Sequence, residues 1–318
     1  MCGRVSQQVC LWRRKMKKSV AAGAAAGVAA VALGIHISQR LRRRRDRDET
    51  TPPPEYSGSA EEWAARVELA ACYRIIAKFA QADWGWTHCV YNHITVRLDT
   101  VDETHGPIFL INPLGARFDE VTPASLHTID LNGNIVRRGA SIPGVPDKGV
   151  LKAGFVIHSA IHSARHDIKA IFHTHHPDVV AVSSLKAGLL PCSLEACVAL
   201  AVHSERRHPF EGVATDSDEC ARLIAALGPR ALTVTLDNHG VVACGHTLPH
   251  ALRNLWLYTK ACTYQVRTLA AAGGDVERLL MPPKQVVDAT IVREADNQAN
   301  MDGLGETEFA AWTRGPAC

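Results

Sequence analysis

Two histidines separated by one residue are the side chains of this sequence best suited to chemistry. His173 and His175 close the apolar run from Ile168 to Phe172, shortly before Pro177. Side chains at positions i and i+2 of a strand point to the same face. Two imidazoles placed in this way can bind one divalent cation, with nitrogen to metal distances of about 2.0–2.1 Å for zinc. The pair therefore predicts half of a metal site.

A third histidine lies in a predicted hairpin. His239 stands between the apolar runs Leu232 to Leu236 and Val241 to Cys244, in a short polar stretch typical of a tight turn. If the turn brings His239 to the first pair, three histidines would hold a metal and leave a further coordination position open. The alternative is that these are hydrogen-bonded core histidines without a metal. We favour metal binding.

Other titratable residues are weaker candidates. A fourth group at the metal could come from the stretch 203–211, which offers His203, Glu205, His208 and Glu211. Charged residues in such loops are mostly solvated. His158 and His162 lie one helical turn apart and could form a ligand pair, but packed histidines that face a sheet are the expected role for both.

Composition predicts one globular domain with additions, because the 318 residues are 47% hydrophobic and 21% charged. The net charge of +3 is unevenly distributed along the chain. Residues 1–45 carry 11 Lys and Arg and no acid, whereas the remaining chain has 24 Lys and Arg against 32 Asp and Glu, a difference of −8. Nucleic-acid binding needs clustered positive charge on a folded surface, so the acidic body argues against it.

Ten cysteines without a C-x-x-C pair are scattered through apolar stretches. Disulfide frameworks are typical of small secreted domains, so these residues are expected to be buried, free thiols in a reducing, intracellular compartment.

The amino-terminal segment, residues 1–45, is basic and alanine-rich. Residues 19–38 are about long enough to cross a bilayer, although alanine and glycine make this run weakly hydrophobic. A membrane anchor, a mitochondrial presequence and an exposed helix with basic ends are the three hypotheses, and we rank the anchor ahead of the presequence. Residues 46–58, which contain three consecutive prolines, predict an extended linker.

The body alternates predicted helices and strands. A capping box at Ser59 to Glu62 predicts a first helix through about Gln81, and Asn132-Gly133 predicts a hairpin turn. A long helix is expected from Pro249 to about Ala272. Residues 59–274 form the predicted α/β domain. The tail, residues 275–318, predicts one helix and a possible contact surface for an oligomer.

Several short motifs, taken together and in order, resemble the class II aldolase/adducin family. The similarity extends over roughly residues 60–274 and is closer to the adducin head and its bacterial relatives than to the sugar-phosphate aldolases. The motifs are Trp84-Gly85-Trp86, Tyr91 to Thr95, Phe109 to Gly115, Gly154-Phe155 with His158 to Ile161, His173-Thr174-His175, Gly188 to Pro191, Asn238-His239-Gly240, and Ala261-Cys262 with Gln265 to Arg267.

The resemblance implies a three-layer α/β/α fold with a mostly antiparallel central sheet. It also implies a tetramer with active sites between subunits. In the family's aldolases, zinc is held by histidines that match His173, His175 and His239. The metal polarises a carbonyl and stabilises the enediolate formed when a carbon–carbon bond breaks.

The sequence departs from the aldolases where they carry a catalytic glutamate, since Gly154 stands there. Of the phosphate-binding positions only Gly115 matches, with His93, Leu114, Lys152 and Ala153 at the others. A sugar phosphate would lose charge-assisted hydrogen bonds here, so a non-phosphorylated carbonyl compound is the expected substrate.

Two roles follow from these departures. Asn92, His93 and Gly115 are the candidates to bind the substrate, and a structural role in the turn is the equal alternative for Asn92 and His93. Glu211 and His208 are the candidates to replace the missing acid–base group, because Arg207 to Gly212 aligns with a Tyr-His-Asp-Tyr-Glu-Gly stretch of the adducin-like relatives.

A function of another class competes with this hypothesis. The adducin head resembles this sequence at the same three histidines but is not known as an enzyme. The chain could therefore be a non-catalytic scaffold that binds actin or another partner in the membrane cytoskeleton.

Overall fold

The computed structural model describes residues 49–82, 91–212, 217–300 and 303–314, and residues 53–318 belong to one compact unit. The helices are α1 (Ala60–Ala82), α2 (Lys152–Ala164), α3 (Pro177–Ser183), α4 (Leu194–Leu200), α5 (Ser217–Leu227), α6 (Leu248–Ala271), α7 (Lys284–Asn300) and α8 (Glu306–Thr313). The strands are β1 (His93–Asp102), β2 (Gly106–Ile111), β3 (His127–Ile129), β4 (Ile135–Arg137), β5 (Ala170–Thr174), β6 (Thr233–Leu236) and β7 (Gly240–Gly245).

Local signals start two of the helices as predicted. The amide of Glu62 donates to Oγ of Ser59 at 3.1 Å, which caps the first turn of α1. The hydroxyl of Thr247 accepts a hydrogen bond from the amide of His250 at 3.1 Å and caps α6. The helix begins at Leu248, one residue before its predicted start at Pro249. Capping side chains therefore set both starts, because each satisfies an amide without a partner within its helix.

The seven strands form one sheet in the order β4-β3-β2-β1-β5-β7-β6, and every neighbouring pair is antiparallel. In the pairing of β1 with β5, His93 lies opposite His173. In the pairing of β5 with β7, His173 lies opposite Val242. The register thus sets the first histidine of β1 beside the histidines at the end of β5.

Helices cover both faces of this sheet, which confirms the three-layer α/β/α fold. Helices α1, α3, α4 and α6 pack on one face, where Ile94, Phe172 and Ala243 join the largest hydrophobic cluster. Helices α2 and α5 pack on the other face, where Ile171 and Val242 belong to a smaller cluster. The two faces alternate residue by residue, as the pleat of a strand requires.

The tail differs from its prediction, because residues 275–318 contain two helices where the sequence predicts one. Helix α7 packs against α4 and helix α8 against α6, with the rings of Trp312 and Trp256 6.0 Å apart. A turn through Gly303 and Gly305, both with positive φ, separates the two helices. Oligomer contact through this tail stays a prediction.

The described ranges contain no helix long and apolar enough to cross a bilayer. Residues 19–38, the predicted anchor, and Trp84-Gly85-Trp86 lie outside those ranges. All six cysteines in the part of the chain that the structure covers carry free thiols, as the sequence predicts.

Candidate metal centre

Three histidines converge at the end of β5, beside the turn that joins β6 to β7. The ring centroids of His173, His175 and His239 are 4.6–4.8 Å apart in each pair. One nitrogen from each of the three lies within 4.8 Å of the other two. No other group of three histidine, cysteine or acidic side chains with this spacing occurs among the described residues. We call this group the histidine triad.

The turn before β7 brings His239 to the triad. Asn238 adopts a positive φ of 54°, a conformation that asparagine tolerates better than most residues. Gly240 touches β5 so closely that a Cβ there would lie 2.2 Å from the carbonyl oxygen of Thr174. A side chain at position 240 would push the turn away from β5, so this glycine allows His239 to reach His173 and His175.

The tautomer of His173 is set by its own sheet. Nδ1 of His173 lies 3.1 Å from the carbonyl oxygen of Val241. A carbonyl only accepts, so Nδ1 carries the proton and Nε2 keeps its lone pair. Nε2 of His173 lies 2.7 Å from Nε2 of His175. A ligating histidine commonly donates its other ring N–H to a carbonyl in this way, so the donor set fits a divalent metal.

The protonation state of His173 also fits a ligand. Burial lowers the pKa of His173 well below its usual range, and the neighbouring His175 and His239 lower it further. A neutral imidazole can bind a cation, whereas a protonated one cannot.

The third histidine of the local run has a different role. Nδ1 of His176 accepts a hydrogen bond from the amide of Asp178 at 3.2 Å and caps helix α3. Sequence spacing alone distinguishes it from its neighbours, because only positions 173 and 175 share a strand face.

His208 and Glu211, the predicted acid–base candidates, line a small pocket together with His239. His208 is buried, with Nε2 3.3 Å from a carboxylate oxygen of Glu219. Glu211 is exposed and is bound by both ends of the Arg222 guanidinium, with Nε at 2.7 Å. This hydrogen bonding lowers the pKa of Glu211 and makes its carboxylate a weaker base. Their catalytic roles stay predictions, and burial and contacts favour His208.

Two other residues of the 203–211 stretch are separate from the triad. His203 uses both ring nitrogens, with Nδ1 2.9 Å from Thr233 Oγ1 and Nε2 3.2 Å from Thr235 Oγ1. Glu205 is exposed to solvent. Neither belongs to the metal-sized group described above.

The predicted substrate-binding residues lie at one end of the sheet. Asn92 and His93 are buried at the start of β1. Because Val96 of β1 pairs with Leu110 of antiparallel β2, the loop that follows β2 and contains Gly115 runs along this start. The register therefore places Asn92 and His93 beside the triad strand β5, and the loop with Gly115 leaves the sheet at the same end of β1.

Gly154 of α2, the position where the resemblance implies a glutamate in the aldolases, lies against His93. A Cβ built on Gly154 of α2 would lie 2.2 Å from Cε1 of His93. The imidazole of His93 thus occupies the space into which a side chain at position 154 would extend. The sequence shows a ring gained at position 93 and a side chain lost at position 154 as two separate changes. Their occurrence together is the signal that could have linked the two positions.

Next to His93 on β1, the hydroxyl of Thr95 lies between two buried histidines of α2. Both histidines are packed rings that face the sheet, the role expected for them from the sequence. Oγ1 of Thr95 lies 2.8 Å from Nδ1 of His158 and 2.9 Å from Nε2 of His162. All three side chains are fully buried. Burial lowers the pKa of His162 to about 3, so the ring is neutral at physiological pH. Sequence reasoning missed Thr95, since nothing in a strand pattern marks which threonine bridges two helix residues.

The chain resembles known proteins in both sequence and structure. The family model described as "Class II Aldolase and Adducin N-terminal domain" matches residues 67–266. Alpha-adducin of Rattus norvegicus is 38% identical over 78% of this chain, which spans only 32% of that protein. An adducin-related protein of Schizosaccharomyces pombe is 30% identical, with 88% of each chain covered. The crystal structure of an aldolase II superfamily protein from Pseudomonas syringae superposes with a TM-score of 0.70 at 36% identity, covering 81% of this chain and 93% of the other.

Proposed function

The chain belongs to the class II aldolase and adducin family, and on that premise we propose that the histidine triad binds a divalent metal, with zinc as the expected ion. The observation that carries the proposal is the convergence of three imidazole nitrogens within 4.8 Å. The hydrogen bond from His173 to Val241 supports it, because it leaves a lone pair on Nε2.

We infer that the bound metal serves carbonyl chemistry on a small, non-phosphorylated molecule. A divalent ion in this position would polarise a carbonyl oxygen as a Lewis acid. His173, His175 and His239 would hold the ion. His208 is the proposed acid–base residue, because its Nδ1 is buried without a hydrogen-bond partner in the part of the chain that the structure describes.

Charge around the triad supports the same proposal. Each described carboxylate that lines the pocket of His208 and His239 already has a cationic or imidazole partner. Asp237 is paired with Arg207, Glu211 with Arg222 and Glu219 with His208. These carboxylates would therefore do little to neutralise a bound metal ion, and its positive charge would act mainly on its ligand.

Metal analysis of the purified protein by mass spectrometry tests the proposal. We expect about one zinc per chain in the wild type and a near-complete loss in His175→Ala, since one of three ligands is removed. His176→Asn is the matched control: the next histidine is removed, an asparagine keeps the helix cap, and metal should be retained. A wild type without stoichiometric metal, or an unchanged metal content in His175→Ala, would refute metal binding.

A second candidate is a non-catalytic scaffold in the actin or membrane cytoskeleton, favoured by the 38% identity with alpha-adducin. If the scaffold function is correct, the wild type and His175→Ala should sediment with actin filaments to the same extent. If neither protein sediments above a bovine albumin control, the actin-binding hypothesis fails while the metal proposal is unaffected.

A further inference from the structure

Arg207 joins two segments of the chain that meet beside the histidine triad. Its Nε donates to a carboxylate oxygen of Asp237 at 2.5 Å. Its Nη1 donates to the carbonyl oxygen of Leu185 at 2.6 Å, and its Nη2 donates to that of Ser183. Asp237 belongs to the β6–β7 turn, whereas Ser183 and Leu185 belong to the end of α3 and the loop after it. One guanidinium therefore connects the turn to the helix end.

The backbone of the turn makes a weaker contact with the same helix end. The amide of Asn238 lies 3.4 Å from the carbonyl oxygen of Ser183, which is long for a hydrogen bond. Within the turn, the amide of His239 donates to the carbonyl oxygen of Leu236 at 3.2 Å. The contacts of Arg207 are shorter, and they reach the residue before Asn238. The side chain of Arg207 thus reinforces a link that the backbone makes only weakly.

The position of this turn decides whether His239 reaches the other two histidines. His173 and His175 lie at the end of β5, which is hydrogen-bonded to a strand on each side. His239 instead stands on the turn, two residues after Asp237. Metal to ligand distances are held to within about 0.2 Å, so a small shift of the turn would remove one ligand of the three.

We propose that Arg207 is a positioning residue of the histidine triad. It holds Asp237 against the end of α3 and so keeps His239 beside His173 and His175. A planar guanidinium has donors in fixed directions and can bind one carboxylate and two carbonyls at once, whereas the ammonium of lysine is a point charge on a flexible stem. Arg207 acts through the turn and is not itself a ligand. The inference rests on the metal site proposed above.

Charge and position predict opposite effects for the loss of Arg207. The carboxylate that it binds, Asp237, lines the same pocket as His239. On charge alone, removal of this cation would strengthen the binding of a divalent metal, because a carboxylate near the site would lose its partner. Lost positioning would weaken binding instead, since removal of a group that orients a metal ligand typically costs about 10-fold to 100-fold in affinity. The direction of the change therefore separates the two effects.

Zinc affinity, measured by titration calorimetry on the full chain, tests this role. We expect Arg207→Met, which keeps the apolar stem of the side chain, to bind zinc about 10-fold to 100-fold more weakly than the wild type. Arg206→Met is the matched control. It removes the neighbouring arginine, which is exposed and has its Nη1 3.4 Å from the carbonyl oxygen of Ala225 on α5. Arg206→Met should bind zinc like the wild type.

The control and the direction of the change make this test decisive. Unchanged or tighter zinc binding by Arg207→Met would overturn the proposal. Equal weakening by Arg206→Met would overturn it as well, because loss of either arginine would then act in the same general way.

A double variant shows whether Arg207 acts through His239. In His239→Ala no third ligand remains to be positioned. Adding Arg207→Met to His239→Ala should therefore weaken zinc binding by no more than about twofold, in titrations at higher protein concentration. A merely structural role would weaken binding in this background too, so a further loss as large as that caused by Arg207→Met alone would contradict the proposal.

Two outcomes separate this inference from the one on which it rests. A wild type that binds no zinc refutes both, whereas a wild type and an Arg207→Met variant that bind zinc equally refute only the role of Arg207. If Arg207→Met does not fold, Arg207→Lys replaces it, because lysine keeps the charge but not the fixed fork that reaches three oxygens. Unchanged zinc affinity in Arg207→Lys would then overturn the proposal.

Discussion

Near the histidine triad, the two faces of the central sheet differ in their buried side chains, although these residues alternate along the same strands. On β1, Ile94 and Val96 face the large apolar core, whereas His93 and Thr95 face α2. On β5, Phe172 belongs to the core and the next residue, His173, belongs to the triad. A shift of one residue in register would exchange the two sets, so antiparallel pairing is what keeps the histidines together.

Polar groups on the two faces also differ in their contacts. Thr95, on the histidine face, bridges His158 and His162. Thr259 of α6, on the core face, is buried and its hydroxyl has no hydrogen-bond partner within the described residues. The comparison distinguishes these two threonines: the hydroxyl of Thr95 is part of a buried histidine network, whereas that of Thr259 is not, although Tyr73 and Tyr258 of the same core do form hydrogen bonds.

The largest expected effect is the loss of the bridge on the histidine face. Thr95→Val keeps the shape of the side chain and leaves two buried histidine nitrogens without their partner. Since an unsatisfied buried polar group costs about 1–3 kcal/mol, the free energy of unfolding should fall by at least about 1 kcal/mol. Urea denaturation followed by circular dichroism measures this change.

The same substitution on the core face is its control. Thr259→Val removes a hydroxyl that makes no bond, so stability should stay within about 1 kcal/mol of the wild type or rise. Equal destabilisation by the two variants would contradict the distinction between the faces.

A further effect, spread over several buried rings, should appear as a dependence of stability on pH. Burial is the main cause that lowers the pKa of His162 to about 3 and the pKa values of His127 and His250 to about 4. In the unfolded chain these rings titrate near 6.5. Between pH 6.5 and 5 the unfolded state therefore binds more protons, and stability must fall as the pH falls, by up to about 1.4 kcal/mol per pH unit for each ring.

Removal of one ring isolates its share of this dependence. His162→Leu should lower the slope of unfolding free energy against pH in that window by up to about one proton. A slope unchanged by His162→Leu would mean that His162 is already protonated in the folded protein.

Much of the fold followed from local patterns. The β-branched runs around residues 232–244 placed His239 in a hairpin turn, and the i, i+2 spacing placed His173 and His175 together. Where prediction fell short, the cause was distance or missing local signal. The tail was predicted to form one helix and forms two, and the Thr95 bridge joins residues more than 60 positions apart.

The sequence by itself determined the three metal-ligand candidates, the α/β pattern and the family, because each rests on spacing within short segments. Only the tertiary structure decided that His93 fills the space beside Gly154, that His176 caps a helix, and that Glu211 is bound to Arg222. These contacts depend on how helices and loops pack against the sheet. Which residue fills a space is settled by excluded volume and by available hydrogen-bond partners, and neither can be read from spacing along the chain.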